Sequence, residues 1–197
     1  MPNSAFFHNL ALSLRGDSPY GYPLAWQPAR LPASYPIPNP MEKKTISIPY
    51  EMLSPGELSA DDALLVDTAR EASFRSYAPY SRFSVGAAIL LDNGEIIPGS
   101  NQENVAFPSG TCAERSACFY AHARYPEARF RKIAIAARGT DGEFTAVPTA
   151  PCGSCRQALL EYEMLAGAPV EVLLAGKDVI YRLPSVVSTL PFAFTEF

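Results

Sequence analysis

Long apolar runs, positive charge and histidine are all scarce in this chain of 197 residues. Nowhere do apolar residues run for the roughly 20 positions that a membrane-spanning helix requires, and the N-terminus lacks the basic segment and apolar core of a secretory signal. No membrane partner is predicted, and the expected location is cytoplasmic. Sixteen basic residues against twenty acidic ones give a net charge of −4 and a pI near 5.2, the reverse of the concentrated basic surface that grips a phosphate backbone. A nucleic-acid partner is therefore not expected, whereas a small-molecule substrate is. The four cysteines are too few to staple a small disulfide scaffold, and in a cytosolic chain clustered cysteines more often hold metal or carry redox chemistry. Of the two histidines, His8 and His122, neither has metal-ligand spacing, and both are expected to be solvated. What the chain does have is 48% hydrophobic residues, enough to build a packed core.

Eight of the nineteen prolines fall in residues 1–40, with only Arg15, Asp17 and Arg30 as charges. Such a tract cannot repay its ordering entropy, so residues 1–40 are expected to be a disordered extension, Met41 is a candidate start, and residues 41–197 form a single domain. Ser59 with Asp62 makes a capping-box pattern ahead of a helix running to about Ser76. Asp92-Asn93-Gly94 between the runs 83–91 and 95–100 signals a hairpin. Helices are predicted over 111–124 and 152–165, and strands over 132–137 and 170–175. Residues 179–183 read as an edge strand and 190–197 as an apolar tail. The order β-β-α-β-α-β predicts crossovers with parallel pairing in a mixed sheet with helices on its faces, an α/β class.

Chemistry concentrates at two predicted helix starts, Cys112-Ala113-Glu114 and Pro151-Cys152-Gly153-Ser154-Cys155. Cys152 and Cys155 share one face of a first turn, and Pro151 suits an N-terminal position where its missing donor is no loss. Two helix N-termini aimed at one point lower thiol pKa values, which a borderline-soft cation such as zinc requires. Three protein ligands leave a fourth position for water, the mark of a catalytic site. A four-cysteine structural site using Cys118 is the first alternative, although six residues beyond Cys112 that side chain has turned about 240° away. A thioredoxin-type redox pair of Cys152 and Cys155 is the second, and it leaves Cys112 and Glu114 unexplained. Cys118 reads as a small core residue. Glu114 is too close to Cys112 to share the metal comfortably, and fits a general base.

The segments Cys112-Ala113-Glu114 and Pro151-Cys152-Gly153-Ser154-Cys155-Arg156-Gln157 resemble the signature of the zinc-dependent nucleoside deaminases, the cytidine deaminase family in particular. Tyr80-Ser81-Arg82-Phe83-Ser84-Val85-Gly86-Ala87-Ala88 is similar to that family's first strand, and Asn101-Gln102-Glu103-Asn104 to its ribose-binding strand end. The likeness extends from about Ala60 to Phe194. It implies a three-layer α/β/α fold on a mixed five-stranded sheet, with one Zn2+ per subunit on Cys112, Cys152 and Cys155 and Glu114 as the proton shuttle. A cysteine at the first ligand position resembles the smaller, homotetrameric subtype. The implied reaction is hydrolytic deamination of cytidine and 2′-deoxycytidine in pyrimidine salvage, with Glu114 moving a proton from water to ring N3 and assisting ammonia departure. By the same resemblance the Thr111 carbonyl region and the Ala113 amide read the base, Phe83 stacks on it, Asn101 and Glu103 hold the ribose, and Phe194 reaches a neighbouring subunit's site. Three thiolates around a dication leave a formal charge of −1, and Arg115 and Arg156 are the available compensating cations.

Three rival readings share features with this one. A nucleic-acid editor of the same superfamily needs a basic groove that this acidic chain does not offer. A blasticidin S-type deaminase shares the cysteine pattern but is less similar at Asn101-Gln102-Glu103. A catalytically silent zinc module has no use for Glu114.

Overall fold

The computed structural model describes residues 42–195. The expectations for residues 1–40 and for Phe197 concern residues outside that range. The described chain runs β1 (Glu51–Leu53), α1 (Ala60–Ala72), β2 (Ser84–Leu91), β3 (Ile96–Ser100), α2 (Ala113–Arg124), β4 (Phe130–Arg138), α3 (Gly153–Ala166), β5 (Glu171–Ala175) and β6 (Ile180–Leu183). All six strands form one sheet in the order β1-β6-β5-β4-β2-β3.

Two expectations about the sheet need correction. It has six strands and not five, and the segment 179–183 is not its edge, because β1 pairs antiparallel outside β6 from Glu51↔Arg182 to Leu53↔Ile180. Three residues with an exposed, weakly alternating pattern carry no periodic signal, so only tertiary pairing makes β1 a strand. The crossover rule yields neighbouring parallel strands once, at β4–β5. The β3–α2–β4 crossover passes over β2, which pairs antiparallel with both β3 and β4. The hairpin forms as expected: Gly94 takes φ +87°, a left-handed conformation open to glycine, and its amide donates to the Leu91 carbonyl at 3.1 Å.

Strand alternation sorts the core into two sides. Ala87, Ile89, Ile133, Ile135, Val172 and Leu174 face α2 and α3. Ala88, Ala134, Ala136, Leu173 and Ala175 face Leu65, Val66 and Ala69 of α1. The result is the expected α/β/α sandwich, with every one of these side chains removed from water. Gly99 sets how closely α2 approaches the sheet, since a Cβ there would lie 2.5 Å from the Ala117 nitrogen and 2.7 Å from the Ala113 oxygen. The first turns of α2 therefore rest on bare β3 backbone, and this fixes where Cys112 emerges.

The capping box at α1 is half present. Ser59 Oγ accepts from the Asp62 amide at 3.2 Å, but the Asp62 carboxylate turns into the protein. There it accepts from Lys132 Nζ at 2.6 Å and Arg182 Nη2 at 3.0 Å, tying α1 to β4 and β6. Helix α1 also ends earlier than expected, at Ala72, and continues as a single 3-10 turn over Ser73–Arg75.

Candidate metal centre and adjoining cavity

Cys112 and Cys152 occupy equivalent places, each the N-cap of a helix with extended backbone and no side-chain cap bond. A serine or aspartate at such a position would turn its oxygen back onto its own helix. The two thiols instead face each other, 3.9 Å apart. Cys155, one turn into α3 and buried, joins them, and the three sulfurs lie within 4.8 Å of one another. Tetrahedral zinc with Zn–S bonds of about 2.3 Å separates its sulfurs by about 3.8 Å. Spacing and soft donors therefore both fit zinc. Among the described residues this is the one group of three or more His, Cys, Asp or Glu side chains so arranged.

The thiols polarise one another. The Cys155 thiol donating to Cys112 is the largest influence holding the Cys112 thiol down at about 5, with Arg115 and Cys152 adding to it against burial. The same bond, with burial, pushes the Cys155 thiol up. Arg115 Nη2 lies 3.8 Å from Cys112 Sγ, where a cation offsets thiolate charge. Cys118 is not part of the group: it is buried, its thiol donates to the Arg115 carbonyl at 3.6 Å, and burial pushes it up to about 12. His122 is half-buried against the Tyr162 ring, with centroids 5.4 Å apart, and is not the solvated residue expected.

Glu114 follows in the first turn of α2 and is only 4% exposed. Burial raises its pKa above the ordinary carboxylate value, and the neighbouring Cys112 adds to the rise. A carboxyl so placed takes up a proton more readily than one held in a salt bridge.

A cavity of about 470 Å³ opens at Cys112, and its walls also include Asn101, Glu103, Thr111 and Arg115. Its assembly depends on a short strand continuation. Gln102 pairs antiparallel with Thr111 through bonds of 2.8 and 2.9 Å, and pairs parallel with Tyr77, whose amide donates to the Asn101 carbonyl at 3.0 Å. The Thr111 carbonyl thus already accepts one bond, and the polar strand end is held in register with the thiol-bearing helix. The Glu103 carboxylate accepts from the Tyr80 and Ser81 amides at 2.9 and 3.2 Å. The Ser81 hydroxyl first, and then these amides, hold its pKa below the usual value. Asn101 is more fully engaged still, bonded to Ser76, Phe83 and Val85.

Ala113 is fully buried at the start of α2, where first-turn amides have no intrahelical acceptor. Phe83 is half-buried just before β2 and is not among the residues lining the cavity. Phe194 is 65% exposed, and its backbone is clasped by Gln157 of α3, which donates to the Phe194 carbonyl at 2.8 Å and accepts from its amide at 3.4 Å. Arg156 turns away from the thiols to the Pro151 and Thr189 carbonyls, at 2.7 and 2.9 Å. The sequence carried no signal for the clasp or for the Ser81 contact, both of which join residues more than 20 positions apart.

An α/β/α sandwich presenting three thiols and a buried glutamate at two helix N-termini has the construction of a zinc-dependent deaminase. Residues 59–166 match the sequence profile of the family described as "Cytidine and deoxycytidylate deaminase zinc-binding region". A cytidine deaminase of Halalkalibacterium halodurans is 39% identical over 135 residues, 68% of this chain and 95% of that protein. One from Mycobacterium tuberculosis is 40% identical over 110 residues, 54% of this chain and 77% of that protein. The crystal structure of a cytidine deaminase from Burkholderia pseudomallei superposes with a TM-score of 0.57 at 36% identity, covering 70% of this chain and 100% of that one. The chain belongs to the cytidine deaminase family.

Proposed function

We infer that this enzyme hydrolyses cytidine and 2′-deoxycytidine to uridine and 2′-deoxyuridine, releasing ammonia. The observation that carries this reading is the juxtaposition of a buried Glu114 with three convergent thiols, one of which, Cys112, lines a cavity walled also by Asn101 and Glu103. Cys112, Cys152 and Cys155 hold one zinc per chain, which supplies the Lewis acidity that makes a water nucleophilic at neutral pH. Glu114 takes the proton of the attacking water, delivers it to N3 of the pyrimidine, and assists departure of the C4 amine as ammonia. Arg115 offsets the excess thiolate charge through its contact with Cys112.

The Ala113 amide and the carbonyl region at Thr111 meet the base edge, and Phe83 stacks on it. Asn101 and Glu103 bind the sugar. Two further proposals concern assembly and setting. Phe107, Phe192 and Phe194 are 75%, 94% and 65% exposed, and apolar surface of that kind favours burial between copies. With that support, the resemblance to the smaller subtype leads us to assign a homotetramer in which Phe194 reaches a neighbouring site, with residues 41–197 as the catalytic domain. The setting proposed is cytoplasmic pyrimidine salvage. It agrees with the net charge of −4 and with the lack, among the described residues, of any helix long and apolar enough to cross a membrane.

Turnover of the zinc-loaded enzyme on cytidine, 2′-deoxycytidine, deoxycytidylate, single-stranded DNA and blasticidin S tests the reading. Rapid loss of cytidine absorbance with little reaction of the last three is expected. Preference for any of those three overturns the substrate assignment.

A further inference from the structure

We propose that Ser76 is a positioning residue for sugar recognition, one that fixes the Asn101 amide so that it offers the cavity a single hydrogen-bond donor. The proposal deepens the assignment of Asn101 and Glu103 to the sugar and rests on it. A carboxamide has one oxygen with two lone pairs and one nitrogen with two donors. At Asn101 three of these four capacities are taken by the protein. The Val85 amide donates to Oδ1 at 2.8 Å, the Ser76 hydroxyl donates to the same oxygen at 2.6 Å, and Nδ2 donates to the Phe83 carbonyl at 2.9 Å.

The two backbone partners, one a donor and one an acceptor, select which way round the amide sits, and the Ser76 hydroxyl adds the third anchor that holds it there. Ser76 then fills the second lone pair of Oδ1. What remains for a ligand is one Nδ2–H. Asn101 and Glu103 both line the cavity, whereas Ser76 does not, so Ser76 acts through Asn101 and not by touching the ligand.

The pair therefore presents one donor beside a carboxylate acceptor. A free hydroxyl satisfies both, since its oxygen accepts from Asn101 while its hydrogen goes to Glu103. A phosphate ester at the same position could accept from Asn101 but would bring negative charge against Glu103. Recognition is thus tuned to an unesterified sugar hydroxyl. Ser76 follows the 3-10 turn after α1 in extended backbone, with φ −63° and ψ 139°, a conformation that a β-branched residue also adopts.

Steady-state kinetics of the zinc-loaded wild type, Ser76→Ala and Ser76→Thr on cytidine and 2′,3′-dideoxycytidine, with thermal melts of each, test the inference. Ser76→Ala should raise KM for cytidine about fivefold, the scale of one lost hydrogen bond. Its kcat should stay nearly unchanged, as should KM for the dideoxy analogue. Ser76→Thr should restore the wild-type KM. An unchanged preference for cytidine in Ser76→Ala overturns the proposal, as do equal losses on both substrates with a lower melting temperature, because Ser76 is then only scaffold. A wild type that does not distinguish cytidine from its dideoxy analogue refutes the sugar assignment itself, an outcome visible before any variant is compared.

Discussion

Two glutamates are buried among the described residues, and their surroundings differ in kind. Glu163, in the last turn of α3, is 8% exposed and surrounded by fixed donors. The Val170 and Val186 amides and the Ser185 hydroxyl donate to it at 2.8, 2.8 and 2.7 Å, and the Val187 amide at 3.4 Å. Glu114, in the first turn of α2, is 4% exposed and has only its own amide and the Cys155 thiol as hydrogen-bonding neighbours. A buried carboxylate whose oxygens are filled by rigid donors is a joint, and here it fastens the segment after β6 to α3. One left underfilled beside polarised thiols is the arrangement that the proposed proton-transfer role of Glu114 requires. Burial alone therefore does not separate scaffold from chemistry, but hydrogen-bond supply does.

The largest disturbance of this contrast should come from the thiols themselves. On the proposed ligand set Cys155→Ala removes one of three thiolates, and two cannot hold the ion as three do, so zinc per chain and activity should vanish together. Cys118→Ala should retain both. Metal analysis returning one zinc per chain for Cys155→Ala would show that the ligand set is wrong.

Next comes an identical substitution made at both glutamates. Glu114→Gln should bind zinc, fold with an undiminished melting temperature and lose about 10²-fold to 10⁴-fold in kcat, the usual worth of a proton-transfer group. Near-normal turnover would refute the shuttle. Glu163→Gln should do the opposite: it sets an NH2 group against fixed donors, which costs about 1–3 kcal/mol and lowers the melting temperature by about 3–10 °C. Activity per folded molecule should hold. A large kcat loss without destabilisation at Glu163 would collapse the distinction between the two sites.

The smallest effect should be a pH slope. Burial disfavours the ionised Asp62, but Lys132 and Ser59 hydrogen bonds and the Arg182 charge outweigh it and hold its pKa below the ordinary value. The folded-state value is thus the lower one, so its stabilisation is complete above the unfolded value of about 3.9 and fades as pH falls through the folded one. Denaturant unfolding from pH 7 to pH 2 should show a gentler acid decline for Asp62→Asn, by at most about 1.4 kcal/mol per pH unit, one proton's worth. An identical slope would mean that the carboxylate titrates alike in both states.

Much of the molecule was readable before any coordinates. Asn93-Gly94 between apolar runs specified the hairpin, because its left-handed turn is a local matter. The spacing of Cys152 and Cys155 specified one side of the thiol group, because helical periodicity puts such residues on one face wherever the helix lies, whereas Cys112, 40 positions before Cys152, meets them only through packing. Gln157 and Glu163 were different. Gln157 closes the signature segment, but nothing local points to the contacts that either residue makes, since their partners are 37 and up to 24 positions away. Asp62 was read as half of a local cap and proved to be the meeting point of Lys132 and Arg182, 70 and 120 positions distant.

Local periodicity, turn chemistry and ligand spacing depend on neighbours in sequence, and for that reason the α/β order, the three cysteines and Glu114 could be named from the residues alone. Strand β1 and the orientation of the Asn101 amide depend on which donors and acceptors the folded chain brings alongside. Hydrogen bonds act over about 3 Å in space, while the partners that satisfy them here lie 16 to 131 residues apart in the chain. Only tertiary packing could decide which polar groups were already satisfied and which were left open for a substrate.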